Sequence, residues 1–169
     1  RIAVIPGDGI GKEVVPEGIR VLDAAGRKWG FSIAWETFDW NCEYYERHGR
    51  MMPEDGLSRI AGHDAIFLGA IGWPNVPDPV SLWTLLMPIR RDFQLYANVR
   101  PVRLFDGVPS PLAGKVPGDI DMLIIRENNE GEYSEIGGRL YKGTDYELAL
   151  QESVFTKFGV DRIMRYAFA

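Results

Sequence analysis

Four arginines and one acid stand within residues 90–103, as Arg90-Arg91-Asp92 and then Asn98-Val99-Arg100-Pro101-Val102-Arg103, a local charge of +3 in a chain of net charge −5. A guanidinium carries a planar fork of donors that matches a carboxylate in bidentate fashion, so arginines converging on a cleft suit a small di- or tricarboxylate. Spread over a surface, the same residues are only solvated charges. A second group, Arg126-Glu127-Asn128-Asn129-Glu130-Gly131-Glu132-Tyr133, follows the apolar run Leu123-Ile124-Ile125. There a tyrosine seven residues beyond an arginine can serve as a proton donor where cations lower its pKa, or the stretch is an ordinary polar loop. The third is the turn Gly7-Asp8-Gly9-Ile10-Gly11 between a strand and a helix, where backbone N–H groups commonly meet a phosphate or carboxylate. It departs from the dinucleotide fingerprint, with Lys12 in place of the third glycine and Asp8 bringing a negative charge, and a purely structural tight turn is the competing reading. Neither His48 nor His63 has metal-ligand spacing to other donors, and Cys42 has no nearby base to activate it.

The elements that must position these groups read as an α/β fold. Ile2–Ile5 is a buried strand, closed by Pro6-Gly7-Asp8-Gly9. From Val15 to Trp29 apolar or small residues recur at helical spacing, with Pro16 implying a late start or a kink. The reading continues with a strand over 31–35, a short helix over 57–61 and a buried strand over 65–69. Strand and helix alternating over about 70 residues imply a mostly parallel sheet with helices on both faces. Residues 71–80 are a loop, Ser81 is a candidate N-cap for a helix to Phe93 that Pro88 would interrupt, and 99–104 is a strand. The proline- and glycine-rich stretch 106–118 reads as a crossing or a domain boundary, and 121–125 as a strand. Residues 130–144 read as an excursion, 146–150 as one strand of a hairpin, and the stretch from Val160 to Phe168 as a helix.

Composition narrows the function classes. The 169 residues carry 19 Lys or Arg and 24 Asp or Glu with 46% apolar residues, a balance that fits a globular protein. There is no basic block for nucleic acid and no apolar run long enough to span a membrane. The single cysteine fits a cytoplasmic location, and the ends, without an initiating Met and still helical at Ala169, suggest part of a longer protein.

Taken together, these clusters resemble the NAD(P)-dependent β-decarboxylating dehydrogenases, the family of isopropylmalate, isocitrate, homoisocitrate and tartrate/D-malate dehydrogenases. The resemblance is carried by Ile5-Pro6-Gly7-Asp8-Gly9-Ile10-Gly11, by Arg90 with Asn98-Val99-Arg100-Pro101, and by Arg126-Glu127-Asn128 with Glu130-Gly131 and Tyr133. Cys42-Glu43-Tyr44-Tyr45, Met51-Met52-Pro53, Gly69-Ala70-Ile71-Gly72-Trp73-Pro74 and Ser81-Leu82-Trp83 are most similar to the tartrate/D-malate branch. It runs over the whole chain and corresponds to an N-terminal half.

The resemblance implies that residues 1–100 open a large cofactor-binding domain, and that 101–169 open a smaller substrate and dimerisation domain, with an arm over 132–152 that builds a homodimer. It implies that Arg90, Arg100 and Arg126 clamp the carboxylates of a 2-hydroxy dicarboxylate such as tartrate or D-malate, and that Tyr133 protonates the enolate left by decarboxylation. Trp83, Thr84, Leu86 and Met87 then face the substrate's distal group, where a tryptophan offers no anchor for a third carboxylate. Ile10, Gly69, Ala70, Ile71 and Gly72 border the nicotinamide of NAD, as does Asn129, where the family usually carries Thr. Mn²⁺ or Mg²⁺, with K⁺ as a possible monovalent companion, is implied as cofactor, its ligands lying beyond Ala169. An isopropylmalate dehydrogenase, or an N-terminal piece silent by itself, are the alternatives.

Overall fold

The computed structural model describes all residues, Arg1–Ala169, and the chain divides into two compact units, Arg1–Phe93 and Gln94–Ala169. In the first, β1 (Ile2–Gly7), β2 (Trp35–Thr37) and β3 (Ala65–Ala70) form a parallel sheet in the order β2-β1-β3. Ala3, Val4 and Ile5 of the central strand are wholly buried, as a strand covered on both faces requires. Ala3 and Ile5 join a core with Phe38, Trp40, Cys42, Met51, Ile60, Leu85 and Ile89. On the other face Val4 lies beside Phe67 in register, and the Phe67 ring packs at Gly18 of α1 (Gly11–Trp29).

Helix α1 starts at Gly11, earlier than the spacing suggested, and Pro16 is accommodated inside it. Pro16 is exposed, so the helix carbonyl deprived of a donor by the proline ring can turn to water. Trp29, expected on the buried stripe, is 67% exposed and stands beneath the Lys28 ammonium. The helix ends at Gly30 in the left-handed conformation, and the N–H of Phe31 closes on the Gly26 carbonyl. That termination consumes the residues expected to begin β2, which is why the strand lies at Trp35–Thr37 instead of 31–35.

Helix α2 (Cys42–His48) has no counterpart in the sequence reading; Asn41 caps it by accepting the Tyr44 N–H at 2.7 Å. Helix α3 (Gly56–Ile60) falls within one residue of expectation. The helix expected from Ser81 to Phe93 begins sooner and has three parts: α4 (Asp78–Ser81), a π-helical turn (Leu82–Leu86) and α5 (Met87–Asp92). Pro88 sits in the first turn of α5, immediately after the π turn, where its missing N–H is least costly.

The second unit holds two antiparallel ribbons and a helix. Strand β4 (Ala97–Arg103) pairs with β5 (Asp121–Glu127), and β6 (Gly131–Leu140) with β7 (Leu148–Val154). The region read as an excursion is thus mostly strand, its apolar alternation broken by Gly137 and Gly138, and its hairpin partner runs over Leu148–Val154 where 146–150 was expected. Helix α6 (Lys157–Phe168) packs on β5 and is capped by Thr156, whose hydroxyl accepts the Gly159 N–H at 2.9 Å.

Asp8 fastens the first unit together. It is 2% exposed, and its carboxylate accepts the N–H of Cys42 at 2.9 Å and that of Gly72 at 3.1 Å, tying the β1 turn to α2 and to the segment after β3. Asp8→Ala would strand two amides, costing about 2–4 kcal/mol. A urea titration of the chain should show the loss in the first transition, with Asp8→Asn recovering part of it.

Candidate active site

The turn after β1 is built from backbone packed on backbone. Gly7 has a φ of +75°, and a Cβ on it would stand 2.0 Å from the Ala70 carbonyl oxygen; one on Gly11 would stand 2.1 Å from that of Pro6. The amide donors at the start of α1 are committed internally, Gly11 to Asp8, Lys12 to Gly9, and Glu13 and Val14 to Ile10. Of the two sequence readings, the structural turn is the one present, and a phosphate would find these donors taken. What the turn offers is the side chain of Ile10, 58% exposed. Along β3, Gly69 and Ala70 pack under the turn, Ile71 reaches Gly7, and Gly72 has a φ of +149°. Cys42 is wholly buried and its thiol is pushed up to about 12 by burial, then by the Asp8 carboxylate, which leaves no nucleophile.

On the helix of the first unit, Trp83 and Leu86 are partly buried and Thr84 is exposed. The Thr84 hydroxyl donates to the Val80 carbonyl at 2.6 Å, tying the π turn back to α4. Met87 stands apart from these three: it is fully buried, and its sulfur lies 3.9 Å from Nη1 of Arg90. It supports the arginine from below.

In the second unit, the β4–β5 register sets Asn98 opposite Arg126 and Arg100 opposite Ile124. Side chains alternate along strands, so Asn98, Arg100 and Arg126 share one face of the ribbon. Asn98 Oδ1 accepts from Arg100 Nε at 2.8 Å. The Arg126 guanidinium pairs with the Glu132 carboxylate, donates to the Tyr133 hydroxyl at 3.2 Å and lies 5.2 Å from the centre of that ring. The Tyr133 bond, then the Coulomb pull of Tyr133 and Glu132, raise the pKa of Arg126 further above its ordinary value despite partial burial.

Two carboxylates hold the segment between Arg126 and Tyr133, and the sequence reading had assigned neither a role. Glu127 accepts the amides of Asn129 at 2.9 Å and Glu130 at 2.6 Å, and pairs with Arg162 of α6 at 3.2 Å. Glu130 accepts the amide of Thr156 at 2.8 Å and its hydroxyl at 2.6 Å. Glu127 and Arg162 are 35 residues apart and carry no local signal. Asn129 keeps a buried side-chain oxygen without a hydrogen-bond partner. The Thr156 bonds hold Glu130 below the usual carboxylate value of 4.5. A depressed carboxyl contributes stability that is full above its unfolded value and is lost as pH falls through the lower folded value. The amide signals of Thr156 and Gly159 should therefore show an NMR transition with a midpoint below 4.5, absent in Glu130→Gln.

Residues 1–169 match the description of the isocitrate/isopropylmalate dehydrogenase family. The chain belongs to that family. It is 62% identical to D-malate dehydrogenase (decarboxylating) of Escherichia coli and 55% identical to tartrate dehydrogenase/decarboxylase of Pseudomonas putida, each over 170 residues, which cover 99% of this chain and 47% of the relative. Isocitrate dehydrogenase of Methylococcus capsulatus superimposes with a TM-score of 0.79 at 29% identity, covering 99% of this chain and 46% of that one. The chain spans about half the length of the curated relatives it matches, and it lies in the tartrate/D-malate branch.

In its second unit the chain joins Arg126 to Tyr133 and sets Arg100 on the ribbon face that carries Arg126, and in its first it carries Arg90 on Met87. No three His, Cys, Asp or Glu side chains are arranged to hold a metal ion, so these residues by themselves do not fit a divalent cation. No helix is long and apolar enough to cross a membrane.

Proposed function

We propose that this chain supplies the carboxylate clamp and the proton donor of an NAD- and Mn²⁺- or Mg²⁺-dependent dehydrogenase that oxidises a small 2-hydroxy dicarboxylate, tartrate or D-malate, with or without decarboxylation. The observation that carries the reading is the Arg126–Tyr133 pair: a guanidinium already holding a carboxylate, that of Glu132, and donating to the hydroxyl of a tyrosine beside it. Arg90, Arg100 and Arg126 bind and orient the two carboxylates. Tyr133 delivers its proton to the enolate carbon, with Arg126 holding the phenol oxygen. Trp83, Thr84 and Leu86 border the distal group, leaving room for a short acid, and Met87 acts beneath Arg90. NAD, when bound, supplies the hydride acceptor; Ile10 and residues 69–72 would border its nicotinamide, with the unpaired Asn129 oxygen as a polar contact. In this reading the ligands for the divalent cation lie beyond Ala169.

We read residues 1–100 as opening the cofactor-binding domain and 101–169 as opening the substrate and dimerisation domain; the division of the chain after Phe93 supports a two-part organisation of this kind. Homodimerisation through the arm is supported by Ile136, Leu140, Leu148 and Leu150, which share one exposed face of the β6–β7 ribbon. Such a ribbon is marginal in water by itself. A cytoplasmic location suits an unpaired cysteine.

Steady-state assays of the complete gene product with D-malate, tartrate and isopropylmalate test this reading. Preference for either of the first two is expected, and a strong preference for isopropylmalate would overturn it. Tyr133→Phe should slow overall turnover by about 10²-fold while sparing a single-turnover hydride transfer. Equal loss in both steps would remove the tyrosine from late protonation.

A further inference from the structure

We propose that Arg91 is a positioning residue for Trp83, and that the π turn over Leu82–Leu86 gives Arg91 this task in place of Arg90. In a regular α-helix, residues seven apart lie about 20° from one face and residues eight apart about 80° from it. On an uninterrupted helix the arginine above Trp83 would therefore be Arg90. The π turn closes with the Met87 N–H on the Leu82 carbonyl, five residues back, and so takes up one additional residue. Everything after it is rotated by one position. Arg91 consequently stands over the Trp83 ring, 5.4 Å from its centre, while Arg90 turns to the Met87 sulfur at 3.9 Å. The Thr84 hydroxyl on the Val80 carbonyl fills an acceptor within the same run, so the turn has a side-chain bond of its own.

The consequence is a division of labour between adjacent arginines. Arg90 is set on a buried, apolar base, and Arg91 holds the indole by a cation–ring contact. Under the proposed function, on which this inference rests, the indole limits the space left for the substrate's distal group. Arg91 then acts on specificity through Trp83 and touches no substrate.

The test compares kcat/KM for D-malate and for isopropylmalate in the complete gene product. Trp83→Ala should move the ratio toward the bulkier acid by about tenfold or more. Arg91→Gln should move it the same way by about three- to fivefold, the size of a partly exposed cation–ring contact, and Arg91→Lys, which keeps a cation over the ring, should restore it. The Trp83 indole N–H signal of this chain should shift on Arg91→Gln and stay in place on Arg90→Gln. A ratio that moves with Trp83→Ala but not with Arg91→Gln, or an indole signal that answers to Arg90 instead, would overturn the inference. A ratio unmoved by Trp83→Ala would overturn the reading of the pocket itself.

Discussion

Arg126→Ala should lower kcat/KM of the complete gene product toward D-malate by about a hundredfold or more, equivalent to ~2.7 kcal/mol of lost transition-state stabilisation. Two losses combine. Under the proposed function the guanidinium is the donor fork for a substrate carboxylate, and charge-assisted bonds of that kind are the stronger ones. It also holds the oxygen of Tyr133 at 3.2 Å, so alanine removes the group that orients the proton donor of the proposed function. A clamp that acts in the ground state and the transition state should raise KM and depress kcat together. Arg126→Lys should recover little, since an ammonium cannot serve the carboxylate and the phenol in one plane. Stability should hardly change, because the Glu132 partner is exposed and surface pairs contribute little. An unchanged kcat/KM in a folded variant would remove Arg126 from the site.

Gly7→Ala should destabilise the first unit by about 2–4 kcal/mol, read as a lowered urea midpoint. The new Cβ would stand 2.0 Å from the Ala70 oxygen and 2.6 Å from the Ile71 side chain, at a backbone φ of +75°. Backbone atoms paired in the β1–β3 ladder cannot step aside as a flexible side chain would. Gly9→Ala is the control: its φ is also positive, at +44°, but a Cβ there meets nothing within 4 Å. It should cost about 1 kcal/mol. Equal effects at the two positions would show that conformation alone, and not close packing, makes Gly7 necessary.

Much of the fold was legible because local pattern and tertiary environment agree. The apolar runs at Ile2–Ile5 and Ala65–Gly69 are strands buried on a sheet, and the stripe Val15–Gly26 is the inner side of α1. Agreement failed where one element's ending decided the next one's start. Schellman-type closure at Gly30 displaced β2, and α2 was too short for periodicity to show, although Asn41 ahead of Cys42-Glu43-Tyr44 is a capping signal that a closer reading could have used. Of the residues proposed for the site, the β4–β5 register sets Arg100 and Arg126 on one face, as an alternation of side chains along two paired strands requires.

By itself, the sequence determined the α/β class, the family, and the residue types able to grip a dicarboxylate and donate a proton, because periodicity, turn chemistry and motif spacing are local properties of the chain. Only the tertiary structure decided what Asp8 does, which carboxylates brace the segment from Arg126 to Tyr133, and which of two adjacent arginines lies over Trp83. Those depend on partners 26 to 64 residues away, or on one residue taken up in a helical turn, and neither leaves a trace in composition or spacing. A carboxylate's role is set by the donors that reach it, and those donors are known only once the chain has folded.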